Sequence, residues 1–94
     1  MVFVRVLIWD KWNVAHIARH QVVPEEVEQA CQGEHAVRPT YQSRLLLIGR
    51  TSAGRMLSVI LAKVDEDVYY VVTARSADRR ERRIYQDETG GETQ

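Results

Sequence analysis

An α+β fold with elements in the order β-α-α-β-β-β-α is predicted by three observations. A short β-branched and aromatic run ends at an aspartate able to cap a helix. Three closely spaced extended runs occupy the middle, and an amphipathic arginine-rich stretch lies near the end. At 94 residues with 45% apolar and 28% charged side chains, the chain suffices for one core and is too short for two. A single domain over residues 1–86 is expected, with a polar, disordered tail over 87–94.

The first strand is expected over Phe3–Trp9, interrupted only by Arg5, with Asp10 accepting from the first turn of the helix that follows. That helix should run from about Lys11 to His20 and bury Val14, Ile17 and Ala18 at i, i+3 and i+4, with Asn13, His16 and His20 on its flank. Pro24 suits the first turn of a second helix with Val27, Ala30 and Cys31 as its apolar face, Glu25, Glu26 and Glu28 near its positive end, and Gly33 as its stop. Next come three strands, Arg44–Arg50, Arg55–Val64 and Val68–Arg75, whose short connections predict an antiparallel meander. In the middle strand Leu57, Val59 and Leu61 alternate with Met56, Ile60 and Ala62, so both faces are expected to be covered. In the third, the period of two places Tyr69, Val71, Thr73 and Arg75 on one face. Ser76 is expected to cap a last helix from about Ala77 to Gln86. His35 falls in an expected loop and carries no assignment.

The apolar runs, such as Val6–Trp9 and Met56–Ala62, are far shorter than the roughly 18 to 20 residues that cross a bilayer, so no membrane span is expected. The N-terminus reads as a structural element rather than a signal peptide, and the lone Cys31 agrees with a reducing, cytoplasmic setting. Net charge is zero, with 13 basic and 13 acidic residues, but placement is uneven. Eleven of the basic residues are Arg, the side chain that grips phosphate bidentately and stacks on bases. Glu25–Glu34 carries four Glu and no Lys or Arg, and is expected to be a solvated acidic face; Arg44–Arg55 carries three Arg and no acid, and five Arg lie between Arg75 and Tyr85.

In the last helix Ala77, Glu81, Ile84 and Tyr85 share one stripe, so a carboxylate and a phenol face the body of the domain, flanked by Arg79, Arg80, Arg82 and Arg83. Two readings remain open from the pattern. In one, Glu81 pairs structurally with a sheet arginine, Arg75 lying at the end of the strand close to the helix start, and Tyr85 covers the core with its hydroxyl in water. In the other, the same groups form a phosphate-binding or RNA-cleaving site. His16 and His20 stand at i, i+4, but no third ligand follows at a recognisable spacing, so no metal is expected. His20, near a helix end, is suited to proton transfer. Cys31 reads as a small core residue, and the turn between Gly49 and Gly54 lacks the Lys-Ser/Thr ending of a nucleotide loop.

Four motifs stand out together: Trp9-Asp10 opening a helix; Asn13 with His16-Ile17-Ala18-Arg19-His20; Ile48-Gly49-Arg50-Thr51 with Gly54-Arg55; and Thr73-Ala74-Arg75 followed by Arg79-Arg80-Glu81-Arg82-Arg83-Ile84-Tyr85. In this order they resemble the BrnT family, the toxins of type II toxin-antitoxin pairs. The resemblance covers about Ile8–Gln86, and the last motif is its most specific part. It implies a RelE-like fold, a small antiparallel sheet with two N-terminal helices and a C-terminal helix. It also implies a ribonuclease that stops translation, a cognate antitoxin as partner, and contact with DNA only through that antitoxin. Gln21 stands where the family usually has Gly, which argues against a left-handed helix end there, and Arg19 stands where Lys is common.

The expected chemistry is RNA cleavage without a cofactor. The 2′-hydroxyl attacks the adjacent phosphate, a base takes its proton, cations stabilise the phosphorane, and an acid protonates the leaving 5′-oxygen. Arg75, Glu81, Tyr85 and His20 are the catalytic candidates, with Glu81 or a histidine as base; Arg50, Arg55, Arg79, Arg80, Arg82 and Arg83 are the RNA-binding candidates. The alternative is a non-catalytic binding module for nucleic acid or an antitoxin-like partner. A homo-oligomer is left open.

Overall fold

Asp10 starts the first helix as predicted, although the strand before it is confined to Val6–Ile8 and not the expected Phe3–Trp9. Its carboxylate accepts from the Asn13 backbone N–H (2.9 Å), while the Asn13 side chain accepts from the Asp10 N–H (2.9 Å). The computed structural model describes residues 1–90, and its elements follow in order. They are β1 (Val6–Ile8), α1 (Lys11–Ala18), α2 (Pro24–Gln32), β2 (His35–Thr40), a single 3-10 turn (Tyr41–Ser43), β3 (Arg44–Arg50), β4 (Met56–Asp65), β5 (Val68–Ser76) and α3 (Arg79–Thr89). The fold is α+β with one five-stranded sheet in the order β1-β5-β4-β3-β2. The predicted meander β3-β4-β5 is present, β2 adds antiparallel to β3, and β1 pairs parallel to β5, making the sheet mixed.

α1 and α2 cover one face, α1 over β5 and α2 over β3 and β4, and their Ile17, Val27, Ala30 and Cys31 pack with Leu47, Leu57, Val59, Leu61 and Val71. The approach of α2 is close: a Cβ at Gly49 would stand 2.3 Å from the Ala30 carbonyl oxygen, so only glycine fits β3 at that point. α3 lies on the opposite face, over β2 and β3. It reaches only part of that face, so Met56, Ile60 and Ala62 are half-buried and not covered as expected.

Several expectations are corrected. His35 lies in strand β2 and is buried, its ring nitrogens 2.8 Å from the Gly33 carbonyl and 2.9 Å from the Val2 carbonyl. The strand carries Pro39, which it tolerates because β2 is an edge strand. Of the stripe expected on α1 only Ile17 is buried; Asn13 is buried instead, donating to the Ile8 carbonyl (2.9 Å). Lying over β5 beside the sheet's β1 edge, α1 has little to pack on and leaves Trp12 and Val14 exposed. α1 ends at Ala18, and Gln21 takes a left-handed conformation (φ 61°) despite lacking glycine's freedom. Its N–H returns to Ala18 and that of Val22 to Ile17, closing the helix with two buried apolar residues in contact range. Ser76 ends β5, and Asp78 caps α3. That helix continues past Gln86 to Thr89 and stops at Gly90 (φ 70°), so residues 87–89 of the expected tail are helical and 91–94 lie outside the described residues.

The third meander strand carries the correction that matters most for the site. Ile60 pairs with Thr73 but Leu61 with Val71, so Val72 is an extra residue, a bulge. Every side chain beyond it changes face. Tyr69 and Val71 enter the core, whereas Tyr70, Thr73 and Arg75 stand opposite Ala62, Ile60 and Ser58 on the α3 side.

Candidate active site

At the end of β5 the backbone turns through Ser76 and Ala77 into α3, with the Ala77 N–H donating to the Met56 carbonyl (2.9 Å). Asp78 and Glu81 form a reciprocal cap. The Asp78 carboxylate accepts from the Glu81 N–H (2.8 Å), and Glu81 Oε1 accepts from the Asp78 N–H (2.9 Å). That cap turns the Glu81 side chain back onto the sheet, where Arg75 Nη1 donates to Oε1 (2.9 Å), Arg75 Nη2 to Oε2 (2.8 Å) and Ser58 Oγ to Oε2 (3.1 Å). Glu81 is 6% exposed and its carboxylate accepts in all directions. Its two oxygens accept four hydrogen bonds in all, which fix the carboxylate against Arg75.

Arg75 is the exposed half of this pair. Nη1 also donates to the Ser76 carbonyl (3.1 Å), so of the five guanidinium N–H groups Nε and one on Nη2 have no partner among the described residues. Hydrogen bonding to Glu81 raises its pKa, which burial opposes, and keeps it cationic. Arg50, opposite Met56 on the same face, lays its guanidinium over the Tyr85 ring at 5.4 Å from the centroid. Among the described residues no carboxylate pairs with Arg50. α3 thus brings together two cation-bearing pairs, Arg75 with Glu81 and Arg50 with Tyr85.

Arg55, grouped by sequence with the phosphate-binding cations, serves another purpose. It donates to the carbonyls of His20 (3.2 Å) and Gln21 (2.7 Å), to Glu26 (3.1 Å) and to Ser76 Oγ (3.0 Å). Its donors are spent tying the end of α1 to α2 and β5. Glu26, in the expected solvated face, is therefore structural, as is Glu28, which accepts from Trp9 Nε1 (2.9 Å). His20 is exposed beyond the end of α1, its ring edge-on to His16 at 6.0 Å, and Arg55 and Ser76 link its backbone to Arg75. Arg79, Arg80 and Arg83 are exposed on α3, and Arg82 folds back to the Ala77 carbonyl (2.9 Å). Among the described residues no group of three or more His, Cys, Asp or Glu is arranged to hold a metal, and no helix is long and apolar enough to cross a membrane.

Sequence reasoning missed Ser58, Asp78 and Tyr70. The Asp78-x-x-Glu81 spacing is a cap signature that would have revealed the first turn of α3 and the inward carboxylate together. Nothing in the sequence marks Ser58, an ordinary member of a central strand until the register is known. Tyr70, whose hydroxyl donates to Asp10 (3.0 Å), changes significance only through the bulge.

No protein-family model matches the chain, and no curated protein matches it. Among solved structures it matches the ribonuclease toxin BrnT of Brucella abortus, at 27% identity and a TM-score of 0.64, over 79% of this chain and 97% of that one.

Proposed function

We propose that this chain, a BrnT-like toxin by its fold and sequence likeness, is a metal-independent endoribonuclease that cuts mRNA in the cytoplasm, inhibits translation and is neutralised by a cognate antitoxin. The observation that carries the reading is the Arg75 guanidinium: held bidentately from behind by Glu81, it keeps unused donors on an open sheet face beside the Arg50–Tyr85 pair. A fixed cation of this kind suits the phosphorane, whose charge develops in the transition state. As the 2′-oxygen bonds to phosphorus, its proton passes to a base. The bond to the 5′-oxygen breaks with protonation of that oxygen, leaving a 2′,3′-cyclic phosphate and a 5′-hydroxyl. His20 is the proton-transfer group in this scheme, because the Glu81 carboxylate is saturated with hydrogen bonds. Arg75 and Arg50 hold the phosphate, Tyr85 orients the scissile group, and Arg79, Arg80 and Arg83 attract the strand to either side.

The saturation of Glu81 also favours a second reading, a binding module that holds RNA or an antitoxin-like protein without cutting. Expression in a bacterial host separates the two. Growth arrest that is relieved by the adjacent reading frame, and is lost in Arg75→Ala, is expected of the toxin; unaffected growth with RNA binding retained is expected of the module.

A further inference from the structure

The Val72 bulge has a geometric effect beyond the active-site pairs. Residues 70 and 75 are an odd number apart and in a regular strand would face opposite sides. The extra residue puts Tyr70 on the face of Arg75, with half-buried Thr73 and Ile60 between them. At the Tyr70 end this surface meets a cleft of about 140 Å³ between α1 and β5, lined by Trp12, Asn13, His16, Tyr70 and Val72. Trp12 is 82% exposed, leaving the large flat face of its indole in water. The Tyr70 hydroxyl donates to Asp10 (3.0 Å), and burial together with that carboxylate raises its pKa. His16, edge-on to His20, connects the cleft to the end of α1 where Arg55 joins Ser76 and Arg75.

We infer that this cleft is a base-stacking subsite for a nucleotide of a single-stranded RNA whose backbone lies along β5 toward Arg75, with Trp12 supplying the stacking face. The inference rests on the ribonuclease reading for the identity of the strand. A flat aromatic surface is what an unpaired base stacks on, every base has a face to stack, and Arg75 at the far end of β5 supplies the cation for the backbone. Trp12 touches no phosphate in this arrangement, so its contribution is independent of salt, unlike those of Arg50 and Arg75.

The test uses the full chain and a fluorescein-labelled single-stranded 2′-O-methyl RNA, which lacks the attacking hydroxyl. By anisotropy, Trp12→Ala is expected to weaken binding by about 5- to 150-fold and Trp12→Phe to retain it within a few-fold. The salt dependence of log K should be the same in both as in the parent. Tryptophan fluorescence of the parent should be quenched on titration, and Trp12→Phe, which keeps Trp9, should lose that quenching. Far-UV circular dichroism confirms folding, which an exposed residue does not endanger. Parental affinity in Trp12→Ala, or no quenching in the parent, overturns the subsite while leaving ribonuclease activity on a cleavable strand to stand alone. Binding and quenching without cleavage upholds the subsite and removes the ribonuclease reading; failure of the parent to bind the strand removes both. Loss of the antitoxin in Trp12→Ala with RNA affinity intact would make the cleft a protein-docking surface and overturn the proposal.

Discussion

The carboxylate of Glu81 grips the guanidinium of Arg75 at both ends, Oε1 to Nη1 at 2.9 Å and Oε2 to Nη2 at 2.8 Å, while the same carboxylate caps its own helix. One side chain thereby sets the start of α3 and the aim of the sheet arginine. Glu81→Gln keeps the shape and the bond to the Asp78 N–H but removes the charge. The pair is only partly shielded, with the Arg75 side chain 44% exposed, so a stability loss of about 1–2 kcal/mol is expected in urea titrations. Cleavage should fall in Glu81→Gln, but less than in Arg75→Ala, because the cation remains while its orientation loosens.

Arg55 and Arg50 look alike in sequence, at either end of one hairpin, but should behave as opposites. Arg55→Ala abandons the carbonyls of His20 and Gln21 together with Glu26, and is expected to cost about 2–4 kcal/mol in stability. Arg50→Ala should cost no more than about 0.5–1 kcal/mol, the value of its exposed contact with the Tyr85 ring. In RNA binding measured over a range of salt, Arg50→Ala should lower the slope of log K against log salt by about 0.7, the value of one single-strand phosphate contact.

Gln21 is held at φ 61° by the two hydrogen bonds that close α1, in a region disfavoured for residues bearing a Cβ. Gln21→Gly removes that strain and leaves intact the backbone carbonyl bound by Arg55. Thermal and urea unfolding should show a gain of about 1 kcal/mol. A loss would mean that the Gln21 side chain has a role that its exposed position does not reveal.

Burial, assisted by Glu28, pushes the Cys31 thiol up from 9.0 to about 12. The folded protein therefore resists its ionisation. Above about pH 9 the unfolded chain releases this proton and the folded chain keeps it, so stability is full below pH 9 and falls as pH rises toward 12. The slope is at most about 1.4 kcal/mol per unit. Urea titrations between pH 8 and 11 should show this decline, and Cys31→Ala should flatten it. In native buffer the thiol should not react with a disulfide reagent until the protein unfolds.

The α+β class, the central meander and the inward Glu81 with a sheet arginine within reach were legible in the sequence, because each rests on local periodicity or on one strand feeding directly into one helix. Glu81 and Tyr85 on a shared stripe led to the correct face of α3. What was illegible depends on register and on neighbours distant in the chain. The Val72 bulge leaves no compositional mark, yet it moves Arg75 away from the face of Tyr69 and Val71. Arg55 could not be told from Arg50 until the end of α1 was placed against it. Strand β2 lay in a segment read as a loop, and the cleft beside Trp12 was hidden by the expectation that α1 buries a full apolar stripe.

The most direct measurement is cleavage of a single-stranded RNA by the purified chain in excess chelator, with the product ends identified by mass. Fragments ending in 2′,3′-cyclic phosphate are predicted, with a rate about 10²- to 10³-fold lower in Arg75→Ala, the usual cost of removing one group that stabilises a developing oxyanion. A parent chain that leaves the RNA intact, or an Arg75→Ala chain that cuts it as fast as the parent, would contradict the account.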